Sequence, residues 1–519
     1  MKRKFLVRLI LALAACLLPL ARGAEKPKLL LAIVIDQFRY DYLTRFRPDY
    51  HAGFQRLLDH GAVFTDANHI AFPTVTAIGH ATFLSGATPS VSGIAGNDWY
   101  DRTAGKVVTS VSDDDVEEIG GTSGKRGASP RHLLVDTIPD ELKMAGRSAK
   151  VIGVSLKDRA AILPAGHMAN AAYWFDETSN HFVTSTYYAK ALPPWAKAAN
   201  DAGPIAKYAG AEWQALDAKP GDKPFCSMKN GTDVKFCASI EATPFGDEII
   251  EEFAERAIDG EQLGRHEGTD VLAISFSSND YVGHAAGPDS PEVRDISIRT
   301  DQTIGKLLNY LDAKIGSGAT LVVLTADHGV APVPEVNKAR NMPGGRLDPH
   351  ELAASIKKVL DDRFGSGDWL LPGSYGTYLN YSTIAEKKAD AAEVRRVAAE
   401  AARTFPHIAR VYTREQLEIG GDSSDPVGRA ILLGYFGPRS GDLVIVTEPY
   451  FMFASKGTTH GSPYVYDTHV PVIFYGPGIR AGNYAERIAV NDIAPTLATY
   501  FGVQIPDGAF GRVLTEVLQ

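Results

Sequence analysis

The residues predict an α/β fold: a doubly wound, mostly parallel sheet with helices on both faces and inserted cap segments. Three observations carry that prediction. Short runs rich in Val, Ile and Leu lack polar alternation, as strands covered on both faces should. Helical patterns with one apolar face lie between them. Acids, imidazoles and cations recur where the runs end, which is where open parallel sheets bind ligands. At 519 residues, with 45% hydrophobic and 22% charged, the chain is long enough for a large core and ordinary in composition.

In chain order, residues 1–24 read as a leader rather than as fold. "MKRK" is a basic start, "FLVRLILALAACLLPL" an apolar run broken by Arg8 and short for a membrane span, and "ARGA" offers small residues for cleavage. A secretory signal peptide follows from this pattern, placing the mature chain in the periplasm or outside the cell. "LAAC", ending at Cys16, also matches a bacterial lipobox, but the apolar "LLPL" behind it argues against a lipid anchor.

The buried strands expected next are "KLLLAIVID" (28–36), "SAKVIGVSL" (148–156), "DVLAISFSS" (270–278), "ATLVVLTAD" (319–327) and "HVPVIFYG" (469–476), all read as parallel. "FGDEIIEEFAERAI" puts Ile250, Phe253, Ala254, Ala257 and Ile258 on one helix face; "DQTIGKLLNYLDAKIG" does so with Ile304, Leu307, Leu308 and Leu311. Residues 25–519 form one catalytic domain in this reading. A stretch rich in Trp, Tyr, Pro and Gly at about 165–244 breaks the strand–helix rhythm and reads as a cap, and about 340–450 as a second insertion. Cys226 and Cys237, eleven residues apart, are placed to close one disulfide in an exported protein.

Charge narrows the partners. Lys and Arg number 53 against 62 acids, and the leader takes five basic residues and no acid with it, so the mature chain is strongly acidic. That excludes a nucleic-acid-binding surface, which needs clustered Lys and Arg. An anionic substrate would need positive charge supplied locally.

Four strand ends bring such groups together: Asp36; Lys157-Asp158-Arg159; Asp280 with His284 four residues on; and Asp327-His328. His460, flanked by glycine in "GTTHGSPYVYDTH", is a further candidate and is preferred to His469. Asp oxygen and imidazole nitrogen are donors that zinc accepts. Asp36, Asp280, His284, Asp327, His328 and His460 suffice for two three-ligand sites, and two metals suit phosphoryl transfer. Thr76 opens the helix in "AFPTVTAIGHATFLSG", where free N–H groups favour an oxyanion; Thr74 reads as a turn residue and His80 as a core histidine. Lys157 and Arg159 alternate about Asp158, so in extended backbone both would face one point, as a phosphoryl dianion needs.

The motifs "VIDQFRYDYL", "FPTVTAIGHATFLSGATPSVSGIAGNDWY", "SLKDRAAI", "FSSNDYVGHAAGP", "TADHGVAPVPE" and "TTHGSPYVYDTHVPV", in this order, resemble the alkaline phosphatase superfamily, most closely its secreted bacterial PhoK/PafA type. The resemblance implies two zinc ions per chain, one held by Asp280, His284 and His460 and the other by Asp36, Asp327 and His328. An additional Ca²⁺ or Mg²⁺ stays an open alternative. It implies Thr76 as a nucleophile that becomes phosphorylated, with zinc-bound hydroxide releasing phosphate. Asn97, Lys157 and Arg159 would bind the phosphoryl oxygens.

Small-molecule phosphate monoesters are the expected substrates. The rival on the same two-metal core is a phosphodiester or nucleotide pyrophosphate bond, but a diester carries one phosphoryl charge and would use two cations poorly. A non-catalytic metal- or phosphate-sequestering protein would not need the full set of nucleophile, ligands and phosphate binders.

Overall fold

The computed structural model describes residues 26–519 apart from 123, 147, 230–234, 236, 372–376 and 422–423. The expected leader over 1–24, with Cys16, lies outside the described residues. Among the described residues, the main sheet has 11 strands. In chain order they are β1 (Leu29–Ile35), β2 (Ala62–Asn68), β3 (Ser112–Ile119), β4 (Arg126–Ala128), β5 (Val151–Ser155), β6 (Ala171–Asp176), β7 (His181–Ser185), β8 (Asp270–Phe276), β9 (Thr320–Thr325), β10 (His469–Tyr475) and β11 (Gly482–Ala489). Their order across the sheet is β11-β2-β10-β9-β1-β8-β5-β6-β7-β3-β4.

The centre is parallel from β9 to β6. Every residue of β1, β5, β8 and β9 is buried, which is why these runs carry no polar alternation. One expectation is corrected here: β10 runs antiparallel to both its neighbours, β9 and β2. Its middle is as buried as any parallel strand, so its hydrophobic run does not reveal its direction. Outside the parallel centre, β7 pairs antiparallel with β6 and β3, and β3 with β4.

Two sets of helices pack on the sheet. The helix Pro291–Ile315 contacts both Gly53–His60 and Pro244–Gly260; α1 (Thr76–Ser85) packs on α2 (Asp158–Ala165) and on the helix Ile493–Phe501. Of the 165–244 stretch, β6 and β7 extend the main sheet. The rest holds the helix Pro194–Asp201 and the Cys226–Cys237 disulfide. Farther on, the helices Pro349–Phe364 and Ala391–Arg403 and an antiparallel pair, Ile408–Thr413 with Leu443–Thr447, pack around a core of their own. Leu352, Ile356, Trp369, Val394 and Leu443 lie at its centre. Among the described residues no helix is long and apolar enough to cross a membrane.

Strand register places the chemistry. Ile35 pairs with Phe276, and Val34 with Thr325, so β1, β8 and β9 end level with one another. Ser155 of β5 pairs with Ser275. The segments leaving these four ends therefore emerge side by side along one edge.

Candidate active site

Three acids and three imidazoles meet at that edge. Asp36 and Asp327 stand at equal offsets beyond paired residues of β1 and β9, and both are fully buried. Asp280 and His284 lie one turn apart in α3 (Ser278–Ala286), with His284 Nε2 3.2 Å from Asp280 Oδ1. His460 arrives from the loop before β10 and brings its Nε2 to 3.7 Å from the same oxygen.

Each imidazole is oriented alike. His328 Nδ1 lies 3.0 Å from the Gly329 carbonyl, His284 Nδ1 2.8 Å from that of Thr458, and His460 Nδ1 2.8 Å from that of Thr74. A carbonyl only accepts, so each Nδ1 carries the proton and each Nε2 presents a bare lone pair. His328 Nε2 is 3.5 Å from Asp36 Oδ1 and 3.4 Å from Asp327 Oδ2. These three buried atoms have no hydrogen-bond partner. Lone pairs converging without a proton between them cost free energy unless a cation lies among them, so the donor set fits a metal. Two groups bring one donor each within 4.8 Å: Asp280, His284 and His460; and Asp36, Asp280 and His328. Asp280 thus faces both groups, and Asp327 adjoins the second through His328.

Electrostatics follow from burial and crowding. Burial, reinforced by Asp36, drives the Asp327 carboxyl well above the usual range. Burial acts the same way on Asp280, but Lys157 and His284 outweigh it and hold that carboxyl well below. Burial and His284 lower His460 to about 4, and burial with His460 holds His328 well below the usual imidazole range. Burial would depress Lys157 as well, yet Asp280 and Asp36 raise it.

The Lys157–Arg159 segment departs from the extended geometry expected of it. Lys157 is the residue before α2, and Asp158 and Arg159 already belong to the helix, so the two cations do not share a strand face. The Lys157 ammonium bridges the acids, 2.5 Å from Asp36 Oδ2 and 2.6 Å from Asp280 Oδ2. Arg159 stays separate, with a buried Nε that has no protein partner.

Thr76 is the first residue of α1 and is 2% exposed. Asn97 Oδ1 accepts the Ala77 N–H at 2.8 Å, tying the "AGND" loop to this helix start. The helix lies tight on the segment leaving β9: a Cβ on Gly79 would stand 2.3 Å from the Asp327 carbonyl oxygen, which only glycine permits. Thr74 differs from Thr76 in its contacts. Its hydroxyl donates to the Ser462 carbonyl at 2.8 Å while its own carbonyl holds His460, so it staples the helix entry to the ligand loop. His80 is a satisfied buried histidine, with Nδ1 2.9 Å from the Thr76 carbonyl and Nε2 2.9 Å from Ser275 Oγ.

One residue escaped the sequence reading. Gln37 is fully buried in left-handed backbone at φ 58°. Its backbone N–H donates to Asp327 Oδ1 at 3.0 Å and its Nε2 to Asp280 Oδ1 at 2.6 Å, bracing acids from two strand ends. A Cβ on Gly283 would stand 1.9 Å from Gln37 Oε1. A glycine inside a helix, where it costs about 1 kcal/mol against alanine, was the signal available.

The sequence pattern of the family described as type I phosphodiesterase / nucleotide pyrophosphatase matches residues 30–470. Alkaline phosphatase PafA of Elizabethkingia meningoseptica is 36% identical over 525 residues, covering 96% of this chain and 95% of that protein. A Myroides odoratus protein named calcium-transporting ATPase is 36% identical over 532 residues, covering 95% of each. The crystal structure of wild type alkaline phosphatase PafA matches with a TM-score of 0.89 and 35% identity, over 96% of this chain and 100% of that one.

Proposed function

Because the chain belongs to the type I phosphodiesterase/nucleotide pyrophosphatase family, within the alkaline phosphatase superfamily, we propose that it is a metal-dependent alkaline phosphatase hydrolysing phosphate monoesters. The observation that carries this reading is the set of carboxylate oxygens and imidazole Nε2 atoms converging beside the N-terminus of α1, three of them buried without a hydrogen-bond partner. Asp280, His284 and His460 would hold one divalent ion, and Asp36, Asp327 and His328 a second; zinc suits the mixture of carboxylate and imidazole. Bound there, such ions supply Lewis acidity at the ester oxygens and make water a stronger nucleophile.

The chain's own residues do the rest. Thr76 sits where backbone N–H groups and the helix dipole favour developing negative charge on its oxygen. Its Oγ forms the bond to phosphorus as the bond to the ester oxygen breaks in line, and the alcohol leaves. Water then attacks the phosphothreonine, restoring the hydroxyl and releasing phosphate. Asn97, whose Oδ1 is engaged with Ala77, keeps its amide N–H groups for a phosphoryl oxygen. Lys157 and Arg159 offer an ammonium and a guanidinium to the remaining oxygens, and two cations suit a monoester dianion better than a singly charged diester.

Export by the 1–24 leader would set the enzyme to work in the periplasm or outside the cell. Rates on p-nitrophenyl phosphate and on its bis-ester, with and without EDTA, test the reading. A metal-dependent monoester rate well above the diester rate is expected. The reverse order would make the protein a phosphodiesterase, and no metal-dependent rate on either ester would leave only a binding protein.

A further inference from the structure

A cavity of about 510 Å³ opens beside the candidate site. Its floor includes Val75 and Asn97, on either side of the Thr76 helix start, together with His284 and His460. It touches neither Asp36 nor His328, so it adjoins one ligand group and leaves the other behind. Its walls are apolar and aromatic, from Tyr378, Ile431, Tyr435, Val446 and Phe453. Among the described residues that line it, the carboxylates are Asp98 and Asp467, and no lysine or arginine appears. The cations of the site, Lys157 and Arg159, lie outside this lining.

Resting on the phosphatase reading above, we propose that this cavity takes the organic group of the ester. The preferred substrates are then monoesters of uncharged aromatic or bulky apolar alcohols, not of alcohols bearing a further anion. Two physical points support the assignment. Asn97, which would bind the phosphoryl group, lines the cavity together with His284 and His460, so an ester held at Asn97 adjoins it. A second negative charge on the far side of the ester's alcohol, away from His284 and His460, would be desolvated against apolar walls and acidic side chains with no lysine or arginine in the lining to meet it. Pocket contacts of this kind discriminate by about tenfold or more for each well-placed apolar group.

The test uses the full-length, zinc-loaded protein and three esters: phenyl phosphate, 3-carboxyphenyl phosphate and ethyl phosphate. The two aryl esters differ little in leaving-group acidity but differ by one charge. We expect kcat/KM for the phenyl ester to exceed that for the carboxyphenyl ester by about tenfold or more, mostly through KM. Tyr435 is only partly buried, so Tyr435→Ala trims the wall without emptying the core. It should erase most of the phenyl advantage and leave ethyl phosphate within about twofold. Tyr435→Lys should narrow or invert the gap between the aryl esters. Equal kcat/KM for the aryl esters, or a ratio unmoved in both variants, overturns the proposal. If either variant fails to fold, Phe453→Ala takes its place under the same criteria. If no ester turns over, the phosphatase reading itself fails. Calorimetry then decides the cavity: phenyl phosphate binding more tightly than inorganic phosphate upholds it, and equal affinity overturns it.

Discussion

Gly283→Ala is the substitution for which the structure gives the most definite consequence. The new methyl carbon would stand 1.9 Å from Gln37 Oε1 and 3.0 Å from its Cδ. Non-bonded carbon and oxygen settle at roughly 3.5 Å, so the amide must retreat by more than about 1 Å. Gln37 is fully buried, and its Nε2 lies 2.6 Å from Asp280 Oδ1. The retreat breaks that hydrogen bond. A hydrogen bond to a charged group contributes about 1.5–3 kcal/mol. Crowding adds part of the ~1–3 kcal/mol typical of overpacking. Alanine's better helix propensity returns about 1 kcal/mol. The net is a loss of about 1–3 kcal/mol, with Asp280 left without its brace. Loosened support of a ligand of this kind costs about 10–100-fold in metal affinity. Thermal denaturation measures the first quantity and competition with a chelator the second. The decisive control is Gly283→Ala in a Gln37→Ala background, where the methyl enters the space the amide leaves. Coupling between the two sites should then reach roughly 0.5–3 kcal/mol, with the second substitution close to neutral. If Gly283→Ala is as stable as the parent and binds zinc as tightly, the bracing role assigned to Gln37 is wrong.

Three further outcomes follow from the site. Thr76→Ala should lower turnover by on the order of a thousandfold or more. Thr74→Val, by contrast, loses only the bond to the Ser462 carbonyl, costing ~1–3 kcal/mol of stability with turnover kept within about tenfold. Steady-state kinetics and melting curves on both variants separate them, and an inactive Thr74→Val beside an active Thr76→Ala would reassign the nucleophile. Lys157→Ala and Arg159→Ala should each reduce kcat/KM for monoesters more than for diesters; equal losses would remove the argument from phosphoryl charge. Chelation should abolish turnover and also lower the melting temperature, because three buried carboxylates are then left facing one another, and added zinc should restore both. An unchanged melting temperature would mean that the donor set does not hold a metal.

The parts of the fold legible in the sequence are those whose burial is complete on both faces. β1, β5, β8 and β9 show as unbroken apolar runs, and the chemistry at their ends was legible with them. β10 shows equally well, but burial is blind to chain direction, so its antiparallel course was not. β3, "SDDDVEEI", is acidic and near the sheet edge, with only some residues turned inward, and its charges hid it. Lys157 and Arg159 could be named from residue type, whereas their geometry depended on where α2 starts. Gln37 was hidden for another reason. Its role rests on a left-handed backbone and on the missing side chain of a glycine far along the chain, and neither is visible in its neighbours.

The cavity shares His284 and His460 with the donor set, but most of its wall is built differently from the strand ends that carry the other donors. All the candidate ligands but His460 follow the ends of the central strands, which are locked in register, and His460 comes from the loop before β10. Much of the cavity wall comes from residues 377–453, of which Leu443, Ile445 and Phe453 belong to the small core at Leu352, Trp369 and Val394, while Ile431, Tyr435 and Val446 cluster with Phe72 and Tyr464. Substitutions in the wall can therefore rework it without re-registering the strands that carry the ligands. Selectivity is free to drift while the reaction stays where it is.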